Sequence, residues 1–415
     1  MSIVLFRDIC RIYGTWPAGT EHIRGWESSK FPFLENHAIL TEDGIITAFI
    51  HEKDITLHPD WEVVSLKNKV VLPGFTECHT HAVFAGDRAD EFLLKLRGAT
   101  YEEIAERGGG IVSTMKHVRN ASEEDLLALL LPRMQNFIEQ GVTTLEIKSG
   151  YGLSTQDELK MLRTIKRASK LVPIDIIPTF LGAHTIPLEH RDNRNIYIDK
   201  ICNEMIPAVA EEQLASFCDG FLEKSAFQTD EIEKIFETAT KHGLSLRLHT
   251  DQFNSIGGLE LGVKLACRSV DHLEVITREQ TGLFKESATA AVLLPGVSYF
   301  LNYNYAPARD LIDSDAIIAL ATDYNPGSSH IDNIFLIMSL AAVKMKLSIN
   351  EILNSYTINA AYVCGVSNKT GSLSTGKQAD FVVINDVSLS QMVYKTAKNP
   401  VEMTIKKGEI IYQKN

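Results

Sequence analysis

At 415 residues the chain exceeds a typical single domain, so a large domain with a smaller companion is expected. Its 45% hydrophobic and 23% charged content is that of an ordinary globular enzyme. With 41 basic against 53 acidic residues the net charge is −12, which argues against nucleic acid and anionic membrane as partners. Arg7 and Asp8 come too early for a signal-peptide core, and Ile334 to Val343 is too short to span a bilayer. Six cysteines show neither CxxC nor framework spacing, as expected for reduced thiols in a cytoplasmic protein.

Residues 1–70 read as short β segments and turns, with Ile45–Ile50 and Trp61–Leu66 as predicted strands. After Leu72 helix and strand alternate. Ser122 with Asp125 predicts a helix start, Gly141 its stop, and Val142–Ile147 the strand that follows. Thr229, with Asp230 and Glu231 in the first turn, predicts a second cap, and Gly243 a second stop. Eight strands are expected: Val71–Cys78, Val142–Ile147, Ile174–Phe180, Cys218–Glu223, Leu244–His249, Ser269–Leu273, Thr289–Leu294 and Ile317–Ala321. Eight β/α repeats in about 300 residues suggest a closed (β/α)₈ TIM-like barrel. An open doubly wound sheet is the alternative, weakened because no Gly-x-Gly-x-x-Gly follows the first strand. The predicted organisation is an α/β barrel over 71–372, beside a small β-sandwich domain built from both chain ends, 1–70 and 373–415.

The first barrel strand runs from Val70 to His79-Thr80-His81. Period two in a strand puts His79 and His81 on one side of the backbone, where two imidazoles can chelate one cation. Alone the pair is weak evidence. Other strand ends carry His249, Asp271-His272 and Asp323, and His184 lies just past strand three. Three histidines and an aspartate around a barrel mouth make a plausible mononuclear metal site with room for a water.

These residues carry a resemblance. Leu72-Pro73-Gly74-Phe75 before His79-x-His81, followed in order by His249, His272 and Asp323, resembles the amidohydrolase superfamily. Four further segments narrow it: Phe84–Phe92, Arg107–Ile111, Lys148–Leu153 and Asp323–Ser328. They resemble the superfamily's ring-opening hydrolases of imidazolone propanoate in histidine degradation. The resemblance implies hydrolysis of a cyclic amide C–N bond with one divalent or trivalent ion, zinc or iron, held by His79, His81, His249 and Asp323. It also implies that Arg88, Tyr151, His184, Gln252 and Ser328 contact the substrate, and that Asn325 and Gly327 hold the product. His272 would assist proton transfer or orient the nucleophile, with His272 or Asp323 as proton shuttle and His184 or His272 stabilising the oxyanion. Lys224 follows strand four, where binuclear relatives place a bridging lysine, but the resemblance aligns Glu223 there and one ion is expected. A homodimer is the expected assembly.

Each reading has a bland counterpart. His272 would serve as a core histidine, Tyr151 as a packing side chain, and Arg88 as a surface partner of Asp87, Asp90 or Glu91. Gly108-Gly109-Gly110 lacks the Gly-Lys-Ser/Thr of a phosphate loop and reads as a lid. The rival activity is a deaminase acting on a nucleobase-like ring. Gln252 counts against it, because an amide exchanges no proton at neutral pH where such enzymes use a glutamate. A metal-free scaffold of the same fold is a third reading, disfavoured because all four ligand positions are filled.

Overall fold

The computed structural model describes residues 2–98, 109–385 and 388–414. Gly108, and with it part of the expected lid, lies outside the described residues. Eight parallel strands follow one another in sequence order: Phe75–Glu77, Val142–Lys148, Asp175–Ala183, Phe217–Leu222, Ser245–Thr250, Ser269–His272, Ala290–Leu293 and Ile318–Leu320. The first and eighth meet beyond their ends, where Thr80 bridges Tyr324 and the amide of His81 donates to the Tyr324 carbonyl at 2.9 Å. This is the expected barrel. Among the described residues no helix is long and apolar enough to cross a membrane.

The helix Glu123–Glu139 shows why the local signals succeed. Ser122 and Asp125 form a reciprocal capping box. Leu126, Leu130, Met134 and Phe137 recur at helical spacing and are buried against the barrel. Gly141 ends it at φ +90°, and a Cβ there would stand 2.3 Å from Val382 of the neighbouring domain. The second predicted cap is displaced by one residue. The helix Thr229–Lys241 is preceded by Gln228, whose amide donates to Glu231 at 2.8 Å.

The expected first strand, Val71–Cys78, proves to be two. Val71 and Leu72 belong to Glu62–Pro73, which pairs parallel with Ile3–Tyr13 and antiparallel with Phe381–Asn385 in the second sheet. At Gly74, whose amide donates to the Asp380 carbonyl, the chain leaves that sheet and Phe75 begins the barrel. An apolar run carries no mark of which of two sheets buries it. The second sheet has eight strands, five from the N-terminal end of the chain and three from the C-terminal end, around Phe6, Ile39, Ile46, Phe381 and Ile405. Cys78, Cys202, Cys218, Cys267 and Cys364 are free and buried.

Candidate metal centre and barrel mouth

His79, His81 and His249 bring their ring nitrogens together at the C-terminal end of the barrel, positioned for metal coordination. Nε2 of His81 lies 3.4 Å from Nε2 of His249. Asp323 Oδ1 lies 3.3 Å from Nε2 of both His79 and His81. Neighbouring donors that share one ion at about 2.0–2.1 Å stand about 3 Å apart, which these three spacings approach. The hydrogens agree. Nδ1 of His79 donates to Asp271 at 2.6 Å and Nδ1 of His249 to Asp219 at 3.0 Å, so both Nε2 atoms present lone pairs. His79 Nε2 and Asp323 Oδ1 are buried acceptors facing one another without a hydrogen bond. Acceptors turned on acceptors are unfavourable unless a cation lies between them, so the donor set fits a metal ion. Burial also holds His249 and His81 below the ordinary histidine pKa, which keeps their rings neutral as ligands must be.

Backbone geometry aims the later side chains of the site. His272 sits at φ +89° and Asp323 at φ +49°, uncommon for residues with a side chain, and both lie where a strand gives way to a loop. The break in alternation lets Asp271 turn to His79 while the adjacent His272 stays beside the ligands, its ring 5.5 Å from that of His249. Beneath, Glu77 accepts from the amides of His79 and Thr322 and so ties the first strand to the eighth. Burial pushes its carboxyl up to about 8.

The mouth above is lined by Arg88, Tyr151, His184, Gln252, His272, Asn325, Gly327 and Ser328, so every residue implied as a ligand contact lies there. Arg88 does pair with Glu91, Nε to Oε2 at 2.8 Å, but the two side chains are largely buried, at 7% and 13% exposure. Glu91 is held in turn by the amide of Gly110 at 3.1 Å. The guanidinium crosses Gly327, where a Cβ would come 1.9 Å from Nη1, so glycine is the residue that admits it. The Asn325 amide is spent inside its own loop, donating to the Asp323 carbonyl and carboxylate and accepting from the amides of Gly327 and Ser328.

His184 is oriented by the loop after the second barrel strand. Its Nδ1 donates to the Gly150 carbonyl at 2.9 Å, leaving Nε2 bare. Burial, with His81 beside it, brings its pKa down to about 3, so the neutral ring offers Nε2 as an acceptor. His272 has the opposite character. Burial would lower its pKa, but Glu274 at 3.3 Å outweighs that and raises it, while burial raises Glu274 as well.

Sequence reasoning missed Lys95, Ile111, Phe221 and Phe253, which also line the mouth, and Glu274 behind His272. It missed Glu146, Lys148, Asp219 and Arg247, all fully buried in the barrel interior. A signal existed: charged residues at period two within apolar strands, as in Glu146-Ile147-Lys148 and Arg247-Leu248-His249.

Comparison with known proteins agrees with this geometry. A family model described as the amidohydrolase family matches residues 70–411. The imidazolonepropionase of Thermoanaerobacter pseudethanolicus is 42% identical over 407 residues, covering 98% of this chain and 97% of that protein. That of Flavobacterium johnsoniae is 38% identical over 410 residues, covering 99% and 100%. Among solved structures, triazine hydrolase from Arthobacter aurescens superposes with a TM-score of 0.73 at 15% identity, covering 99% of this chain and 94% of that one. Escherichia coli guanine deaminase does so at 0.70 and 14%, covering both chains fully. At such identities these two share the fold alone. The chain belongs to the amidohydrolase family and, within it, to the imidazolonepropionases.

Proposed function

We infer that this protein hydrolyses the cyclic amide C–N bond of 4-imidazolone-5-propanoate to N-formimidoyl-L-glutamate, a step of histidine degradation. The observation that carries the reading is the pairing, in one mouth, of a three-histidine, one-aspartate cluster with a buried guanidinium, in a chain 42% identical to an imidazolonepropionase. His79, His81 and His249 through Nε2, and Asp323 through Oδ1, would hold one ion, zinc or iron. When bound, the ion supplies a water acidified to a nucleophile near neutral pH.

The chain's own groups account for the rest. Arg88 takes the propanoate, for which a guanidinium offers planar, two-pronged recognition in a site where an unpaired carboxylate is costly. Tyr151, on the loop after strand two, closes the same side; its ring lies 5.3 Å from that of His184. His184 Nε2 accepts a ring N–H, so the oxyanion that forms at the attacked carbonyl falls to His272, whose pKa Glu274 raises. Asp323 takes the proton released on attack and returns it to the departing ring nitrogen. Gln252 orients the ring without exchanging protons, which disfavours deamination. In this reading residues 71–372 carry the chemistry, and residues 1–70 with 373–415 form the supporting unit.

Incubation of metal-loaded protein with imidazolone propanoate tests it. The expected result is loss of the substrate's ultraviolet absorbance with formation of N-formimidoyl-glutamate. No turnover, together with ammonia release from a nucleobase, would overturn the reading in favour of the deaminase.

A further inference from the structure

Beneath the four donors lies a layer of charge that the reaction above does not use. It begins at Asp271, which accepts from His79. The same oxygen, Oδ2, lies 2.8 Å from Arg247 Nη2, while Oδ1 accepts from Ser269, itself held by Arg247 Nε at 3.1 Å. Arg247 Nη1 reaches Glu146 at 3.5 Å, Glu146 pairs with Lys148 at 2.9 Å, and Lys148 pairs with Asp219 at 2.9 Å. Asp219 accepts from His249, and the circuit is complete. A branch enters at Thr80, between two of the histidines, whose amide donates to Glu146 at 3.0 Å.

The five charged side chains of this circuit, Asp271, Arg247, Glu146, Lys148 and Asp219, are all fully buried. Burying a charge costs several kcal/mol, and a barrel centre is more simply filled with branched apolar residues, so stability alone is a poor reason for the layer. Its geometry suggests a better one. Three carboxylates confined to one layer repel each other, and two of them must stand still to fix the imidazoles. Each cation lies between two carboxylates, and each histidine hangs from one end of the circuit.

We propose that Arg247 and Lys148 are positioning residues for the metal centre: they clamp Asp271 and Asp219, and so aim Nε2 of His79 and His249 at a common point. Neither touches the ion or the substrate. Arg247 acts through Asp271 on His79, and Lys148 acts through Asp219 on His249. This rests on the reading of His79, His81, His249 and Asp323 as ligands.

The test is metal affinity, measured by competition between the full-length protein and a chromophoric zinc chelator. Removing an outer partner of a metal-bound histidine typically costs about 10- to 100-fold in affinity, and Arg247→Met and Lys148→Met should each weaken zinc binding by that factor. Far-UV circular dichroism and a cooperative thermal transition of the zinc-free proteins report whether the variants are folded. Arg247→Lys keeps the charge but loses the two-pronged grip on Asp271 and Ser269, so it should fall between wild type and Arg247→Met. Folded variants that bind zinc as wild type does would overturn the proposal, because a purely structural role would move the thermal transition and leave affinity unchanged. Should the methionine variants fail to fold, Arg247→Lys and the isosteric Asp219→Asn decide: weakened zinc binding supports the clamp, and wild-type affinity in both rejects it. Wild-type protein that itself binds neither zinc nor iron would instead reject the ligand assignment, and the proposal with it.

Discussion

In the β-domain, Lys406 pairs with the fully buried Asp380 at 2.8 Å and reaches Asp175, at the foot of the third barrel strand, at 2.7 Å. Asp380 also accepts from the amide of Lys407 at 2.9 Å. Every charge in that cluster has its partner, and the cluster joins the two sheets. At the barrel mouth, the equally buried His79 and Asp323 present acceptors to each other with no hydrogen between them. The difference teaches where to look for chemistry. In the β-domain the buried charges answer one another and join the sheets, whereas buried acceptors left facing each other are built for something that is bound.

The sharpest way to break this comparison is at Asp323. Asp323→Ala should abolish stoichiometric metal binding, read by elemental analysis, and lower kcat/KM by about 10³-fold or more, since metal activation of water is worth several kcal/mol. Full metal content in this variant would remove Asp323 from the ligand set.

In the β-domain the mirror experiment is Lys406→Met. It strands Asp380 in the interior and should cost about 3–5 kcal/mol of stability, as loss of one partner of a buried pair does. Denaturant unfolding measures it. Metal content and kcat/KM of the folded fraction should match wild type, and a change in metal affinity would show that the two clusters are coupled.

Arg88→Ala should lower kcat/KM by roughly 30- to 1000-fold, the equivalent of about 2–4 kcal/mol for a lost charge-assisted contact, with metal content unchanged. Arg88→Lys should recover part of this. Normal turnover by Arg88→Ala would place the propanoate elsewhere.

Gly327→Ala attacks the same contact from below. The added methyl meets the far end of the Arg88 side chain, not backbone, so the fold should survive while the guanidinium is displaced. Steady-state kinetics should show a KM raised by about 10-fold, a fraction of the Arg88→Ala effect.

The smallest effect belongs to Lys377, whose ammonium is enclosed by the Ser367 carbonyl and Ser372 hydroxyl and whose pKa burial brings down to about 8. The unfolded value is about 10.4, so between these two the unfolded chain binds more protons and stability rises with pH. Below the folded value that gain is absent. Thermal unfolding followed from pH 8 to pH 10 should show a slight rise in Tm relative to Lys377→Met, and identical slopes would assign the lysine no such role.

Much of the fold and of the metal centre is legible in the amino-acid sequence. His79 and His81 share a face because alternation in a strand is a local backbone property, and the Ser122 cap and the Gly141 stop are equally local. The positions of the eight strands follow from the same periodicities, and the order of ligand-type residues at their ends carries the family resemblance. The division at Gly74 is not legible, because Val71, Leu72 and Phe75 are all apolar and all buried, in different sheets.

What the chain by itself determined is therefore the set of groups and the side of each strand on which they stand. Which group faces which was decided by the barrel. His79 meets Asp271 across 192 residues, and Asp219 lies 30 residues from His249, distances along the chain that no local pattern spans. Register places their supports as well: Arg247 stands opposite Asp219 on one neighbouring strand and Ser269 on the other. The same holds for the bare Nε2 of His184, which depends on a carbonyl brought to it by the preceding strand's loop. Local periodicity acts through the backbone of a few residues, but the hydrogen that makes an imidazole a donor or a ligand is placed by a partner that only closure of the sheet brings near.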